Sequence, residues 1–585
     1  MKINFLQRIT QAIWFGLIVV LMAQPSAVSA KGDTITEAFG VNMHLRQRLT
    51  DNEWETALDL ANEAGVQWAR EEFNWDVIES TNDDFDFTAY DSVAAAYAAH
   101  DIEVLGLLTY SSSWASSNPG STDDEFYPPD LSAWSDYVGT VAEQYAGQID
   151  YWEIWNEPNY SAFWKGTTDD YVELVETAAT AITTANPDAV IVLGGLSGAD
   201  TDFLDTVYNT ISDKSLIDVV AVHPYRVIGG DYNYAPETVY DGLNSLTTDL
   251  YNVKAVLNLH GQFDTPIWLT EAGWTTGDAG VSNRVQAEYL MRFYTIALSI
   301  PDVQKVFWYS FNDTSDDESY SDAQFGLVED DFSKKAAFSA YQFVLNNLNK
   351  RWFKDQTLPE YKIIDNFSES TGQGWEFSGT ECTNGTVNDH YRGTMQVTYV
   401  FTGTDNCYAP ITLNQELPNP TRALQFKVKG DNDDTLLRLR VVDATGETFQ
   451  YNLGYMPKEW LFYTVQLSEP ASYWNGDKDG KLDQPLTFNA FVIDDTDGSK
   501  EKGTLAVDEL YASSRAQTYL YRFHKGTKDT YAYWTSDGSK DLLLYLAGAG
   551  RMREKRFGKS NVTKESGNGY YRVQSQKAVK FLQTL

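Results

Sequence analysis

Cysteine and histidine are scarce in this chain. Its 585 residues include two cysteines and six histidines, and no cluster of these residues has metal-ligand spacing. The sequence also lacks a recognisable pairing of a nucleophilic Ser or Cys with a catalytic base. These absences argue against a histidine- or cysteine-bound metal centre and against a serine or cysteine hydrolase.

Long hydrophobic runs are equally rare. The one pronounced apolar stretch, residues 13–23, is shorter than the ~20 residues that span a bilayer. It follows Lys2 and Arg8 and precedes small residues, which is the layout of a secretory signal peptide over residues 1–30. We expect a mature chain without a membrane span that is secreted to the periplasm or the exterior. An uncleaved N-terminal segment that tethers the protein to a membrane is the alternative.

The two cysteines, Cys382 and Cys407, fit an exported protein. In such a protein an isolated pair at this short separation predicts a disulfide that closes a loop between strands. Two free, buried thiols are the alternative.

Positive charge is in short supply. Lys and Arg number 44 against 83 Asp and Glu, so the net charge is −39. So acidic a surface argues against nucleic acids and other polyanions as partners. Aromatic residues are abundant, with 17 Trp and 36 Tyr. Their abundance is typical both of sugar-binding proteins, where aromatic faces stack on pyranose rings, and of β-rich cores.

Short apolar strands alternate with helical segments eight times in the N-terminal half. The predicted strands are residues 39–44, 66–73, 102–110, 149–157, 189–196, 217–225, 265–274 and 303–311. Strands that alternate with helices pair in parallel, so residues 31–352 predict an α/β fold, a closed (β/α)₈ TIM barrel. An open, doubly wound sheet is the alternative, but the glycine-rich phosphate loop that usually follows its first strand is absent.

The pattern changes near residue 359. Alternating segments such as residues 422–430 and 504–512 are separated by Gly, Asn, Asp and Pro. This pattern predicts an antiparallel β-sandwich over residues 363–513. Residues 514–585 predict a second, smaller β-domain.

The active site of a parallel barrel lies where the strands end and the βα loops meet. The residues that the predicted strands deliver there are His44, Arg70, Trp75, Tyr110, Asn156, Glu157, His223, Tyr225, Glu271, Trp274 and Trp308. Glu157 and Glu271 lie at corresponding depths on strands four and seven, across the mouth from each other. Glycosidic bond cleavage needs such a pair, because one carboxyl protonates the leaving oxygen and the other attacks the anomeric carbon.

Two motifs at these strand ends carry a family resemblance. With WNEPN on strand four and LTEAGW on strand seven, the chain resembles the retaining glycoside hydrolases of clan A. In that clan the acid/base follows an Asn after strand four and the nucleophile ends strand seven. The chain is most similar to family 39 and its exopolysaccharide-degrading bacterial relatives of the Psl-operon type, and the resemblance covers most of the barrel.

The resemblance implies roles for the polar side chains. Glu157 would be the general acid/base, Glu271 the nucleophile that forms a glycosyl-enzyme intermediate, and Asn156 a partner of the sugar 2-hydroxyl. Arg70 would hold Glu271 as an anion and Tyr225 would orient it.

Other residues at the mouth are implied to bind substrate as well. His223 would support the acid/base, and Trp308 would form a floor on which the sugar stacks. The alternative for Arg70, His223 and Tyr225 is structural pairing within the mouth. For a further set, subsite stacking and packing both stay open: Tyr110, Trp114, Trp164 and Trp274.

Three further carboxylates lie near these strand ends. Glu153 faces the same side as Glu157 but lies four residues earlier, about 13 Å along an extended strand. We expect it in a barrel layer or paired with a cation. Glu71 and Glu72 directly follow Arg70, and one of them would line the cleft.

The sandwich contains a candidate calcium loop. Its alternate polar positions around Gly480 are Asn475, Asp477, Asp479 and Asp483. They match the first part of a calcium-binding loop, but position twelve is Leu486 rather than Glu and no helices flank it. A polar turn and a structural calcium site both stay open, and we expect no other cofactor.

The sandwich also resembles jelly-roll carbohydrate-binding modules, in its opening IDNFSES and its closing LAVDELYAS. Carbohydrate binding and mere support are both possible functions of such a domain.

We therefore expect a secreted, monomeric, retaining glycoside hydrolase that acts on a polysaccharide, as an endo-enzyme on an exopolysaccharide. One alternative is an exo-acting β-xylosidase or β-glucosidase, or a plant-wall endoglycanase. Another is a non-catalytic polysaccharide-binding protein on the same scaffold.

Overall fold

A computed structural model describes most of the chain. The described residues are 34–240, 243–315, 323–368, 374–403, 407–431, 435–495, 502–546, 551–565 and 570–585. The predicted signal peptide, residues 1–30, lies outside them. Within the described residues, no helix combines the length and the apolar character needed to cross a membrane.

The N-terminal domain is a closed barrel of eight strands that pair in parallel in the order β1 to β8, which confirms the predicted fold. The strands are β1 (Phe39–Asn42), β2 (Trp68–Asn74), β3 (Glu103–Thr109), β4 (Tyr151–Ile154), β5 (Val190–Ser197), β6 (Val219–His223), β7 (Ile267–Ala272) and β8 (Val303–Trp308). Each predicted strand overlaps one of these, but β4 ends at Ile154, before Asn156 and Glu157.

Helices follow and surround the strands. They are α1 (Leu45–Arg48), α2 (Asp51–Ala64), α3 (Trp75–Ile78), α4 (Thr88–Ala99), α5 (Leu131–Gln144), α6 (Thr168–Ala185), α7 (Thr201–Thr210), α8 (Leu246–Leu259), α9 (Asn283–Ala297) and α10 (Ala336–Leu348). Five of them begin where a Ser, Thr or Asp side chain accepts a free N–H of the first turn. These caps are Asp130, Thr167, Asp200, Ser245 and Ser282.

The interior of the barrel is filled. Its apolar cluster consists of Trp68, Leu105, Val192, Val219, Ala221, Trp268 and Phe307. The Lys305 ammonium is buried over the Trp68 ring, 3.8 Å from its centroid. Because a filled interior admits no ligand, chemistry is confined to the carboxyl ends of the strands.

Two six-stranded antiparallel sheets form the sandwich. One has the order β12-β13-β21-β15-β18, with β10 also paired to β21, and the other has the order β11-β14-β20-β16-β17-β19. The strands are β10 (Tyr361–Asp365), β11 (Glu376–Phe377), β12 (Thr383–Tyr391), β13 (Thr394–Phe401), β14 (Tyr408–Glu416), β15 (Ala423–Gly430), β16 (Thr435–Val442), β17 (Glu447–Tyr455), β18 (Leu461–Gln466), β19 (Ser472–Asn475), β20 (Thr487–Asp495) and β21 (Lys502–Ser513). The disulfide between Cys382 and Cys407 joins the starts of β12 and β14.

The last domain is a six-stranded sheet, β26-β25-β28-β23-β22-β9, with a two-stranded sheet of β24 and β27. Its strands are β9 (Trp352–Thr357), β22 (Thr518–Lys525), β23 (Lys528–Thr535), β24 (Lys540–Tyr545), β25 (Arg551–Arg556), β26 (Lys559–Glu565), β27 (Tyr570–Ser575) and β28 (Lys580–Thr584). Strand β9 comes directly after the barrel, so this sheet also takes in a segment outside residues 514–585.

Both β-domains pack on the barrel. Helix α8 contacts the sandwich through Tyr251, whose hydroxyl donates to the Phe462 carbonyl oxygen at 3.2 Å. On α9, Arg292 donates to the carbonyl oxygen of Lys577 at 2.8 Å and pairs with Glu237 at 3.0 Å. Both members of this ion pair are buried, and the contacts fix the last domain against the side of the barrel.

Candidate active site

Glu271, at the end of β7, is held by a cation and a hydroxyl. Arg70 Nη1 donates to Glu271 Oε1 at 2.6 Å, and the Tyr225 hydroxyl donates to Oε2 at 2.9 Å. Burial alone would raise the pKa of Glu271, but the charges of His223 and Arg70 and the Tyr225 hydrogen bond lower it below the usual 4.5. Glu271 is therefore an anion across the physiological pH range.

Arg70 is buried and connects several strands. Its Nε donates to Glu153 Oε2 at 2.6 Å, and its Nη2 donates to Asn156 Oδ1 at 3.0 Å. Its Nη1 also donates to Asn42 Oδ1 at 3.1 Å. The guanidinium thus lies between two carboxylates, Glu153 and Glu271, and is fixed by side chains from β1, β4 and β7.

Glu157 lies just beyond β4, in an unusual backbone conformation. Trp155 has φ 67° and Glu157 has φ 44°, both in the left-handed region that few non-glycine residues adopt. The Glu157 amide donates to the Gly195 carbonyl oxygen at 3.0 Å, which secures this turn. The turn carries the Glu157 carboxyl to His223, whose Nδ1 is 2.9 Å from Oε1.

Thr270 determines where the protons of His223 lie. Its hydroxyl donates to Glu153 Oε1 at 3.1 Å, and its oxygen is also 3.1 Å from His223 Nε2. Because a hydroxyl has one hydrogen to donate, His223 Nε2 must carry the hydrogen of the second bond. His223 Nδ1 then either accepts a proton from Glu157 or donates one to it. One hydrogen therefore lies in the contact between Glu157 and His223.

His223 also lies close to the other carboxylate. Its Nδ1 is 2.9 Å from Glu157 Oε1 and 3.9 Å from Glu271 Oε2, so these two oxygens are separated by less than about 7 Å, a separation that paired glycosidase carboxylates span. Burial alone would lower the pKa of His223, yet the charge of Glu271 and the hydrogen bond to Glu157 raise it above the usual 6.5.

Gly195 on β5 makes room for this arrangement. A Cβ at this position would lie 2.1 Å from His223 Nε2 and 2.7 Å from the Thr270 hydroxyl oxygen. A larger residue would therefore displace the imidazole from Glu157.

The prediction of Trp308 as a sugar platform is wrong, and Trp274 follows the packing alternative. Trp308 has no exposed surface; its indole N–H donates to the Phe325 carbonyl oxygen and its ring stacks on Trp274, which is equally buried. The reason is strand alternation: Lys305 and Phe307 point into the barrel, so Trp308 points out toward the helices. Tyr309 follows on the inner face and takes the place at the mouth that was predicted for Trp308.

Tyr309 is partly exposed and lies among polar side chains of the mouth. Its hydroxyl accepts a hydrogen bond from Arg48, and its ring meets those of His44 and Tyr225 edge to face at 5.8 and 6.3 Å. His44 is buried, with Nδ1 3.8 Å from a Glu72 carboxylate oxygen. The prediction of His44 at the mouth agrees with this position, although little of its surface is accessible.

Tyr110 begins a row of aromatic rings that we call the aromatic strip. The side chains of Tyr110 and Asn156 are neighbours at the mouth. Successive ring centroids, from Tyr110 to Phe126 to Phe163 to Tyr160, are 5.0, 5.9 and 5.9 Å apart. Tyr160, at the far end, is 50% exposed.

Other predicted aromatics pack instead of facing the cleft. Trp164 is buried against Trp155, and its N–H donates to the Thr167 carbonyl oxygen at 2.9 Å, so it follows the packing alternative and not the predicted substrate contact. Trp75 is buried as well, and the half-buried Trp114 donates to the Glu79 carbonyl oxygen at 3.0 Å.

The three further carboxylates differ in their partners and positions. Glu153 is paired with a cation, Arg70, as one of its two predicted interpretations required. Glu71 is buried and accepts from the amides of Leu45 and Arg46, so it caps the start of α1. Glu72 is the one that faces the mouth, near His44.

Sequence reasoning missed Asn42, Thr270 and Tyr309. Thr270 stands within the recognised motif LTEAGW, but its partners, like those of Asn42, come from other strands. The period-two alternation of β8 would have identified Tyr309.

No acidic or histidine group that could hold a metal includes a residue of this site, within the described residues. The site offers instead one anionic carboxylate, Glu271, and one carboxyl group hydrogen-bonded to an imidazole, Glu157, close together at the mouth. A barrel with this pair at the ends of strands four and seven belongs to the glycosidase class.

The comparison with known families agrees. The family model for glycosyl hydrolases family 39 matches residues 83–409, more than half of the chain, and the protein therefore belongs to this family. It is a glycosidase, and the non-catalytic alternative has no support from this result.

Solved structures that resemble the chain include three family 39 or xylosidase structures. A family 39 glycoside hydrolase from the gut symbiont Bacteroides cellulosilyticus WH2 is 17% identical, with 79% of this chain and 81% of that chain covered and a TM-score of 0.47. The GH39 enzyme of Xanthomonas axonopodis pv. citri is 14% identical, with 82% and 95% covered and a TM-score of 0.44. A monomeric β-xylosidase from Caulobacter crescentus CB15 is 16% identical, with 83% and 98% covered and a TM-score of 0.43.

Proposed function

We propose that this protein is an exported, retaining glycoside hydrolase that cleaves a polysaccharide internally by double displacement. The observation that carries the proposal is the contrast between the two carboxyl groups. Glu271 is held as an anion by Arg70 and Tyr225, whereas Glu157 is hydrogen-bonded to the imidazole of His223. A retaining mechanism needs one group of each kind, close enough together to act on one bond.

In the first step, the protonated Glu157 gives its proton to the glycosidic oxygen. A Glu271 oxygen attacks the anomeric carbon, the bond between that carbon and the glycosidic oxygen breaks, and an alcohol leaves. In the second step, the Glu157 carboxylate takes a proton from water, and that water releases the sugar from Glu271. Asn156, fixed by Arg70, is the candidate partner of the sugar 2-hydroxyl.

The aromatic strip supports a long substrate. It starts at Tyr110, which neighbours Asn156 beside Glu157, and leads to the exposed Tyr160. Because Glu157 would protonate the leaving group and Tyr160 and Phe163 lie in the segment that follows it, we assign the outer part of the strip to the leaving-group side. Its rings offer stacking surfaces to sugar units beyond the cleaved bond, which favours an exopolysaccharide cut internally over a short terminal substrate.

The sandwich has a surface suited to the same polymer. The Arg440 guanidinium lies 5.3 Å from the ring centroids of both Tyr408 and Trp474 on its outer face. Trp474→Ala would weaken retention of the protein on immobilised polysaccharide. Tyr361→Ala, an exposed aromatic on the other sheet, is the matched control. Equal retention of both variants and the wild type would argue for a purely supporting domain.

Export of the protein is supported by the signal-peptide pattern of residues 1–30 and by the disulfide. Mass analysis of the N-terminus after secretion from its host would locate the cleavage site. A monomeric state also stays a prediction, which light scattering on the purified protein would test.

The decisive experiment uses a panel of β-glucans, mannans, xylans and the producer's own exopolysaccharide. We expect new reducing ends, oligosaccharides of several lengths, and products whose first-formed anomer, followed by NMR, has the configuration of the substrate. Release of single sugars only would favour the β-xylosidase or β-glucosidase alternative. Activity on xylan or β-glucan alone would favour a plant-wall endoglycanase. An inverted first anomer would overturn the double displacement.

A further inference from the structure

A group of carboxylates converges in the sandwich, remote from the barrel mouth. One carboxylate oxygen each from Glu447, Asp477 and Asp479 lies within 4.8 Å of the other two. Asp477 and Asp479 belong to residues 475–483, which we call the acidic loop, between β19 and β20. Oxygens bound to one calcium ion at 2.3–2.6 Å are separated by at most about 5 Å, so the observed spacing suits a shared ion.

Glu447 supplies an independent indication of a ligand. The residue has no exposed surface, and its Oε1 has no hydrogen-bond partner among the described residues. Its Oε2 accepts the Gly480 amide at 3.2 Å. A buried carboxylate oxygen without a donor or a cation is unfavourable. This oxygen belongs to the carboxylate that faces Asp477 and Asp479, so a bound cation would satisfy it.

The fold brings Glu447 and the acidic loop together by strand pairing. Glu447, at the start of β17, lies opposite Asn475, at the end of β19. Gly476 follows with φ 45°, and a Cβ there would lie 2.4 Å from the Glu447 amide nitrogen. Gly480, with φ 69°, turns the loop back toward Glu447. At position 476, glycine alone allows both the close approach of the Glu447 backbone and the left-handed conformation without strain.

Asp443 braces the loop from outside the carboxylate group. Its Oδ1 accepts from the amides of Thr445 and Glu447, each at 2.9 Å, and its Oδ2 accepts from the Asp483 amide at 3.2 Å. Asp483 is thereby fixed through its backbone. The turn before β17 and the end of the acidic loop are thus one connected unit.

We propose that Glu447, Asn475, Asp477 and Asp479 form a calcium-binding site. The acidic loop provides oxygens at positions one, three and five and glycine at position six, as calcium loops do. Leu486 stands at position twelve, where such loops have a bidentate glutamate. Glu447 from the neighbouring strand provides the carboxylate ligand instead. The spacing of residues in the sequence could not reveal this ligand. The Lys481 ammonium, 2.8 Å from Asp479 Oδ2, has a 78% exposed side chain and is free to move to solvent when the ion binds.

A second acidic group provides a matched comparison. Glu79, Asp83 and Asp136 also approach one another within 4.8 Å. There, however, both Glu79 oxygens are already occupied, by the Trp75 indole N–H and the Asp83 amide, each at 2.8 Å. Asp83→Asn is therefore a suitable control.

The test uses the full chain after removal of metal with a chelator. We expect calcium alone to bind with one site in calorimetry and to raise the midpoint of thermal unfolding, because it binds only the folded state. Glu447→Gln and the exposed Asp477→Asn should each weaken calcium affinity by about tenfold or more and reduce the calcium-dependent shift. Asp83→Asn should behave as the wild type.

Hydrolysis by the barrel, measured well below the unfolding temperature, should be unchanged in Asp477→Asn, which separates this site from catalysis. No calcium binding by the wild type at millimolar concentration would overturn the proposal. So would wild-type affinity in a folded Asp477→Asn or Glu447→Gln protein. Circular dichroism without calcium would identify a variant that fails to fold, and Asp477→Asn, at the surface, then decides alone.

Discussion

Glu271 and Glu157 face each other across the barrel mouth, and the groups that hold them differ in kind. Glu271 is bound to Arg70, a permanent cation, and to the Tyr225 hydroxyl. Glu157 is bound to His223, a group that itself gains and loses a proton. A nucleophile must stay charged, whereas an acid/base must change its protonation state twice in each turnover. Under the proposed roles, each half of the site therefore provides a matching partner, a permanent cation for the nucleophile and a titratable imidazole for the acid/base.

The largest effect should come from removing the carboxylates one at a time. Glu271→Gln should lower kcat/KM by about 10⁴-fold or more on every substrate, because no nucleophile is left. Glu157→Gln should cost about 10²–10⁴-fold on natural glycosides but far less on aryl glycosides, whose leaving group needs no proton. The rates of both variants on both substrate types measure these losses. Glu103→Gln, at the start of β3 and so at the end of the barrel away from the mouth, is the control. Equal losses in both variants on aryl glycosides would show that the assigned roles are wrong.

A somewhat smaller effect should follow Arg70→Lys. Lysine keeps the charge but cannot reach Glu153, Asn156 and Glu271 together, so Glu271 loses part of its stabilisation as an anion. We expect kcat/KM to fall by about 10²-fold or more. The pKa of Glu271 should rise, which moves the acidic limb of the pH profile to higher pH. An unchanged acidic limb would show that Arg70 does not hold the nucleophile.

The paired carboxylates and the barrel are predictable from sequence because their signals are local. Eight strand-and-helix repeats define the barrel, and WNEPN and LTEAGW mark the two strand ends. Thr270 could not be found in this way, since its importance lies in contacts to Glu153 on β4 and His223 on β6. The prediction of Trp308 in the cleft fails because Phe307, directly before it, points inward. The motifs could be recognised from the sequence, but the alignment of residues between neighbouring strands could not be predicted from it.

Thr270→Val tests whether the tautomer of His223 matters to one half of the site. Without the hydroxyl, neutral His223 can carry its hydrogen on Nδ1 and donate it to Glu157, which favours the carboxylate over the acid. We expect about a tenfold lower kcat on natural glycosides, in line with the loss of one hydrogen bond, and little change on aryl glycosides. Thr265→Val, just before β7, is the control. A similar loss on both substrate types would indicate general disruption instead.

The smallest effect should come from Tyr225→Phe, which removes one hydrogen bond from Glu271 and leaves Arg70 in place. Because that bond favours the anion, its loss raises the pKa of Glu271, and the protonated, inactive form then persists to higher pH. The acidic limb of kcat/KM should therefore move upward, with a fall of only a few-fold at neutral pH. Tyr97→Phe removes a comparable bond, from Tyr97 to Glu71, away from the mouth, and should leave the profile unchanged. A shift of the alkaline limb instead would mean that Tyr225 acts on the hydrogen between Glu157 and His223, and the division between the two halves of the site would fail.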